Sequence, residues 1–404
     1  MDNLFSYILA SLERSPDLPA LVGRSGSEER TWTRGQLLET ARSFAAGLAV
    51  AGMDPGDHVG IIADSGDHWL IADLGVLTAA GVDIPRGADS SLEDVAFILE
   101  HARCRWVVVE NVELFEKHRP TLAKHGLEER TVVLEGDVRG PCRSMQDVLT
   151  LGRQALREDA SLLERRAKDV TPKTLATIVY TSGTTGNPKG VMLTHGNVLH
   201  NVRILPKLVT FSSRDRYLSF LPTWHMFERT LEYCLLVGET VIHFSDKRSL
   251  RRDLRRIRPT VMAGVPRLWE SLQSAALAQV RKLPAGKRHL MQGLLALAAS
   301  HDRAARLLTG RSLDDSGRIR RIKGVRRWST ALGKVALTPF QKLADRLLFA
   351  PFRATLGDSL RFIISGGGAL PIHVDEFFDS AGVLLLNGYG LTETSPVLSL
   401  RDPR

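Results

Sequence analysis

The stretch YTSGTTGNPKGVMLTHGN, Tyr180 to Asn197, decides how the rest of the chain is read. It begins at the end of an apolar run, Ala176 to Tyr180, with the composition of a buried strand. Thr181, Ser182, Thr184 and Thr185 then supply hydroxyl donors. Gly183 and Gly186 let backbone N–H groups approach a ligand closely, and Lys189 adds a positive charge. This set suits a polyphosphate. It is not the common P-loop, G-x-x-x-x-G-K followed by Ser or Thr, because Pro188 stands where the second glycine is needed. On composition alone a polar surface loop would serve as well.

Outward from this loop, short β-rich runs alternate with amphipathic helices, the signature of mainly parallel sheets covered on both faces. Thr33 and Gln36 form a capping box for a helix with Leu37, Ala41, Phe44 and Leu48 on one face, stopped near Gly52. Strands are expected at 59–63, 106–109, 131–134, 176–180, 217–221, 240–244, 260–265, 360–365 and 383–386. Helices are expected from Ser90, at 226–237, 250–257 and 372–380, and after Pro266 at 267–280. The charged stretch between about 151 and 173 suggests a boundary between two packed α/β lobes, 1–170 and 171–404.

The bulk properties agree with a globular chain of two to three domains: 404 residues, 43% hydrophobic and 25% charged. Three scattered cysteines, Cys104, Cys142 and Cys234, make neither a disulfide framework nor a C-x-x-C metal site, and fit a reducing, cytoplasmic compartment. The N-terminus has no basic segment ahead of an apolar core, and no run approaches the ~20 apolar residues of a membrane span. The net charge of +9 is concentrated: residues 281–353 hold 17 Lys/Arg against 4 Asp/Glu, a local +13 that leaves −4 elsewhere. This basic helical insertion favours an anionic partner or is a set of solvated helix faces. Nucleic acid ranks low, because only Trp328 stands among those arginines and no recognition module is present. The apolar stripe Leu290, Leu294, Leu295 and Leu297 is compatible with peripheral contact on the inner face of a membrane, and more often marks a packed helix.

The opening string closely resembles the phosphate-binding signature of the adenylate-forming superfamily, which includes acyl-CoA synthetases, adenylation domains and luciferases. NGYGLTETSP, Asn387 to Pro396, resembles its adenine and magnesium motif, and ISGGGALP, Ile364 to Pro371, its glycine-rich adenine wall. LPTWHMFER (221–229) and VPRLWE (265–270) resemble long-chain fatty acyl synthetases. The W-H-x-x-E-R form, with IPRGADSS (84–91), is similar to an acyl-acyl carrier protein synthetase branch.

The resemblance implies the large N-terminal domain of such enzymes and activation of a long-chain fatty acid by ATP and Mg²⁺. Coenzyme A is the implied thiol acceptor, with acyl carrier protein as the alternative. It implies that Thr181, Ser182, Gly183, Thr184, Thr185, Gly186 and Lys189 surround the phosphates, and that Thr392 contacts the α-phosphate. Glu393 would carry Mg²⁺, and Tyr389, Gly390, Asn387 and the Gly366, Gly367 and Gly368 backbone would receive adenine. His225 would lie near the acyl carboxylate. Cys234 and Trp269 read as core, and His195 as structurally hydrogen-bonded. The chain ends at LSLRDPR, before the family's TGD-type motif, most of its barrel-like subdomain and its lid domain with the adenylation lysine. The expectation is therefore a chain that is weak or inactive alone. The reading of another class is a non-catalytic nucleotide- or lipid-binding protein.

Overall fold

The computed structural model describes residues 3–25, 28–181, 188–310 and 322–402. It divides into two compact units: Met1–Lys247 with Tyr389–Ser399, and Arg248–Gly388 with Leu400–Arg404. Residue 170 falls inside the first unit, because the next strand completes a sheet that the earlier strands begin.

The first unit holds β1 (Pro19–Ser25), β2 (Glu28–Thr33), β3 (His58–Ile62), β4 (Val82–Arg86), β5 (Trp106–Asn111) and β6 (Thr131–Glu135). β7 (Arg143–Ser144), β8 (Leu175–Thr181), β9 (Lys189–Thr194), β10 (Arg216–Ser219) and β11 (Val241–Phe244) follow. Among the described residues, one sheet runs β7-β6-β5-β3-β4-β8-β9, and only the β8–β9 pair is antiparallel. Its inner strands are short continuous apolar runs such as Val107-Val108-Val109, all buried, as a sheet covered on both faces requires. A second sheet carries β10, β11, β1 and β2 in that order, parallel except for β1–β2.

The second unit holds β12 (Val261–Gly264), β13 (Phe362–Ser365) and, up to Gly388, β14 (Leu384–Gly390), paired in parallel. Trp269 is buried edge-on against Phe378, as core. Its helices include Ala285–Thr309 and Gly324–Ala344, which pack on each other. In the first of these Leu294 is buried while Leu290 stays exposed, so the stripe read from the sequence is largely a packed one.

Local chemistry explains most boundaries. The Thr33–Gln36 capping box opens the Arg34–Val50 helix, and Pro266 occupies the first turn of Pro266–Arg281. The Leu92–His101 helix is capped by Ser91, one residue later than expected; its hydroxyl receives the Asp94 N–H at 3.0 Å. All three cysteines are buried and free.

Candidate functional site

In open α/β sheets ligands bind beyond the carboxyl ends of the parallel strands. In the first unit those ends are tied together. The Arg86 carbonyl accepts from Ala63 N at 3.1 Å, and Asp64 Oδ1 accepts from Ala88 N at 3.1 Å, joining the loops after β3 and β4. Ser65 Oγ donates to the Leu221 carbonyl at 3.0 Å and accepts from Thr223 N at 2.8 Å, which adds the loop after β10. Trp224 lies against Gly87: a Cβ there would stand 2.5 Å from the indole, so only glycine lets the ring settle. His225 follows, still in contact with solvent, its ring 6.1 Å from that of Trp224. Desolvation pushes the His225 pKa down and Arg86 pushes it further, so the imidazole is neutral at pH 7.

Arg86 lies inside the IPRGADSS string, but nothing in the sequence assigns it a role. Its Nη1 donates to the Tyr180 carbonyl at 3.4 Å, where β8 enters the phosphate-loop stretch. Its buried Nε has no hydrogen-bond partner among the described residues. A cation with spare donors at the strand ends suits a carboxylate or phosphate. The only signal in the sequence was an arginine at the end of an apolar strand.

Thr181 and Lys189 face each other across the β8–β9 pair, Lys189 exposed. Ser182, Gly183, Thr184, Thr185 and Gly186 lie outside the described residues. The 392–394 turn packs against β9, which brings Thr392 and the exposed Glu393 to the strand that carries Lys189. Thr394 Oγ1 accepts from Leu391 N at 2.9 Å and donates to the Pro396 carbonyl at 2.6 Å, fixing this turn. A Cβ on Gly390 would fall 1.8 Å from that carbonyl, so glycine is required there. Tyr389 beside it is exposed.

The second unit holds the remaining candidates. Ser365 and Asn387 are register partners at the ends of β13 and β14. Ser365 Oγ and Asn387 Oδ1 are both buried without a hydrogen-bond partner among the described residues. Such orphans cost ~1–3 kcal/mol each unless a ligand satisfies them. A hydroxyl and a carboxamide oxygen side by side fit an amino-substituted heteroaromatic base such as adenine. Gly366, buried, and Gly367 and Gly368, exposed, continue from Ser365, Gly367 with φ of +75°.

Beneath the His225 loop lies a charged cluster that sequence reading missed. The Met226–Val237 helix buries Glu228, Arg229, Glu232 and Tyr233. Arg229 Nη1 donates to Asp83 Oδ1 at 2.8 Å and to Thr177 Oγ1 at 2.9 Å; its Nη2 pairs with Asp73 and Asp83. Asp83 and Thr177 stand on β4 and β8, so the helix is fixed to the sheet that ends at the rim. Burial works against the guanidinium charge, but Asp73 and Asp83 raise its pKa well above the ordinary value. Burial, with help from Asp83, raises Asp73 to about 7.

Tyr217 Oη donates to Glu228 at 2.8 Å, and Ser219 Oγ bridges Glu228 at 2.8 Å and Glu232 at 2.9 Å. Burial raises Glu228 to about 8; burial and then Glu228 raise Glu232 well above its ordinary value. His195 is also buried, edge-on to Phe5, and burial pushes it to about 4. Its Nδ1 has no hydrogen-bond partner among the described residues, while its backbone N–H donates to the Thr174 carbonyl at 3.0 Å.

The motifs, the parallel sheets and the strand-end rim together define a nucleotide-binding α/β enzyme architecture. A family model described as AMP-binding enzyme matches residues 9–404, and the chain belongs to that family. It is 33% identical over 405 residues to the long-chain-fatty-acid–(acyl-carrier-protein) ligase AEE15, chloroplastic, of Arabidopsis thaliana, across 97% of this chain and 56% of that protein. It is 26% identical over 403 residues to the long-chain-fatty-acid–CoA ligase ACSBG2 of Rattus norvegicus, across 95% and 56%. The solved long-chain-fatty-acid-CoA ligase FadD1 from Archaeoglobus fulgidus matches with a TM-score of 0.67 at 18% identity, over 100% of this chain and 66% of that one, a likeness of fold. The chain spans about half the length of the curated relatives it matches.

Proposed function

We propose that this chain is the nucleotide- and acyl-binding part of an ATP-dependent ligase that activates a long-chain fatty acid. The observation that carries this reading is the 392–394 turn seated on β9, with Thr392 and Glu393 on the strand that bears Lys189. In the reaction, a fatty acid carboxylate oxygen attacks the α-phosphorus of ATP. The bond to the bridging oxygen breaks and pyrophosphate leaves. A thiol sulfur then attacks the acyl carbonyl, loses its proton and expels AMP. The protein's work is positioning and charge neutralisation.

Lys189 and Arg86 supply fixed cations for the phosphates and the carboxylate. His225, neutral at pH 7, donates one N–H without adding charge. Thr392 contacts the α-phosphate, and Asn387 with the Gly366–Gly368 ribbon receives adenine. Mg²⁺, which accepts one or two carboxylates and completes its shell with phosphate oxygens and water, would be held by Glu393. Coenzyme A is one acceptor; the higher identity to a carrier-protein ligase favours acyl carrier protein as the second reading. Three free, buried cysteines fit a reducing, cytoplasmic setting.

The test is palmitate-dependent release of pyrophosphate from ATP and Mg²⁺ by the protein in full, followed by addition of coenzyme A or carrier protein. Release is expected, lowered ~10²-fold or more by Lys189→Ala and by Arg86→Gln. ATP binding without release would sink the ligase reading in favour of a non-catalytic nucleotide- or lipid-binding protein.

A further inference from the structure

We propose that the Gly324–Ala344 helix is a docking surface for the anionic face of a lipid bilayer. Ala344 is the only residue that this 21-residue helix buries. Half-buried Thr330, Ala331, Lys334, Leu337, Thr338 and Gln341 mark the side turned to the chain, and Leu337 alone among them is large and apolar. The other large apolar side chains point away from it. Val325 is 85% exposed, Trp328 75%, Leu332 68% and Val335 69%, at spacings of three and four residues, and exposed Leu343 and Leu347 continue the line. Val325, Trp328, Leu332 and Val335 thus form one apolar stripe along the part of the helix ahead of Pro339, rather than scattered surface side chains.

Charge selects the occupant. Besides Lys334 on the side turned to the chain, the helix carries the exposed Arg326, Arg327 and Lys342 and no acidic residue. None of these four makes an ion pair among the described residues, whereas Arg306 and Arg353 elsewhere in the basic segment are paired with Glu376, Asp379 and Asp345. An apolar stripe with a tryptophan, backed by unpaired cations, is the composition that lies in a membrane interface with its apolar side among the acyl chains. Anionic lipid complements the cations, each worth about fivefold in partitioning. A second copy of the chain would meet the same cations and be repelled. A folded acidic protein would satisfy the charges but leaves no reason for the exposed apolar stripe. The proposal does not depend on the ligase reading.

The test is flotation of the protein in full with phosphatidylglycerol vesicles and with phosphatidylcholine vesicles. The wild type is expected to float with the first far more than with the second. Leu332→Asp with Val335→Asp should abolish flotation, and Arg326→Gln with Arg327→Gln should lower it about 25-fold on the anionic vesicles only. Unchanged thermal melting of both variants confirms that they fold. Three outcomes overturn the proposal: no flotation of the wild type, equal flotation of the variants, or a concentration-dependent dimer that the Leu332/Val335 variant dissolves. Binding to an acidic carrier protein in place of the vesicles, lost in the same variants, also overturns it.

Discussion

The Met226–Val237 helix buries two glutamates and an arginine, while the Gly324–Ala344 helix leaves valines, a leucine and a tryptophan in water. In the first, Arg229 meets Asp73 and Asp83, and Glu228 and Glu232, both pushed by burial toward the protonated form, share Ser219. In the second, the exposed stripe has no described counterpart. Charges taken out of water are tolerated only when partners are built around them. A helix that shows its apolar face keeps that face for something outside the chain.

The largest expected effect breaks the first side of this comparison. Arg229→Met strands Asp73 and Asp83 in the core and should cost ~3–5 kcal/mol in urea unfolding. A loss below ~1 kcal/mol would mean that the carboxylates are already neutral and the helix is held by packing alone. Gly87→Val should come next. Its side chain must displace Trp224, at ~1–3 kcal/mol of overpacking. Moving the His225 loop by even 1 Å should lower pyrophosphate release up to ~10²-fold, so assaying stability and release together separates packing from positioning.

A subtler effect is in pH. Glu228 is protonated in both states below its ordinary 4.5, so its contribution is complete there. As pH rises toward about 8 the unfolded chain releases this proton while the folded chain keeps it, and stability falls. Asp73 adds to the fall up to about 7. The buried His195 and His118, both pushed to about 4 by burial, act oppositely and cost stability as pH falls from 6.5 toward 4. The melting temperature should therefore decline by several degrees between pH 6.5 and 8, and the isosteric Glu228→Gln should flatten that decline. A decline of equal slope in the variant would remove Glu228 from the account. Smallest of all, Trp328→Ser on the exposed helix should change stability by no more than ~0.5 kcal/mol. A larger loss would mean that the tryptophan is not free in solution.

Two-sided burial made strands such as Val107-Val108-Val109 legible, but β4, equally buried, was missed because Asp83 and Pro85 break its apolar run. Helices 226–237, 250–257 and 372–380 lie at the residues expected, their ends marked by Gly238 or proline at 259 and 371. β2 was missed because Glu28, Glu29 and Arg30 hide its period, and β9 because it follows a run of loop residues. The string W-H-x-x-E-R was visible, but its partners were not: Asp83 lies 146 residues from Arg229, and pairing over that distance leaves no local trace. Likewise the charge of residues 281–353 could be counted, but which side of the 324–344 helix meets its neighbour is a property of packing.

The three native thiols offer a practical consequence. Burial lifts Cys104 to about 12 and raises Cys142 and Cys234 as well, so at neutral pH none is a ready nucleophile. A single Trp328→Cys would then alkylate against a silent background. Its rate, read with and without vesicles, would become a ruler for whatever comes to rest on that helix.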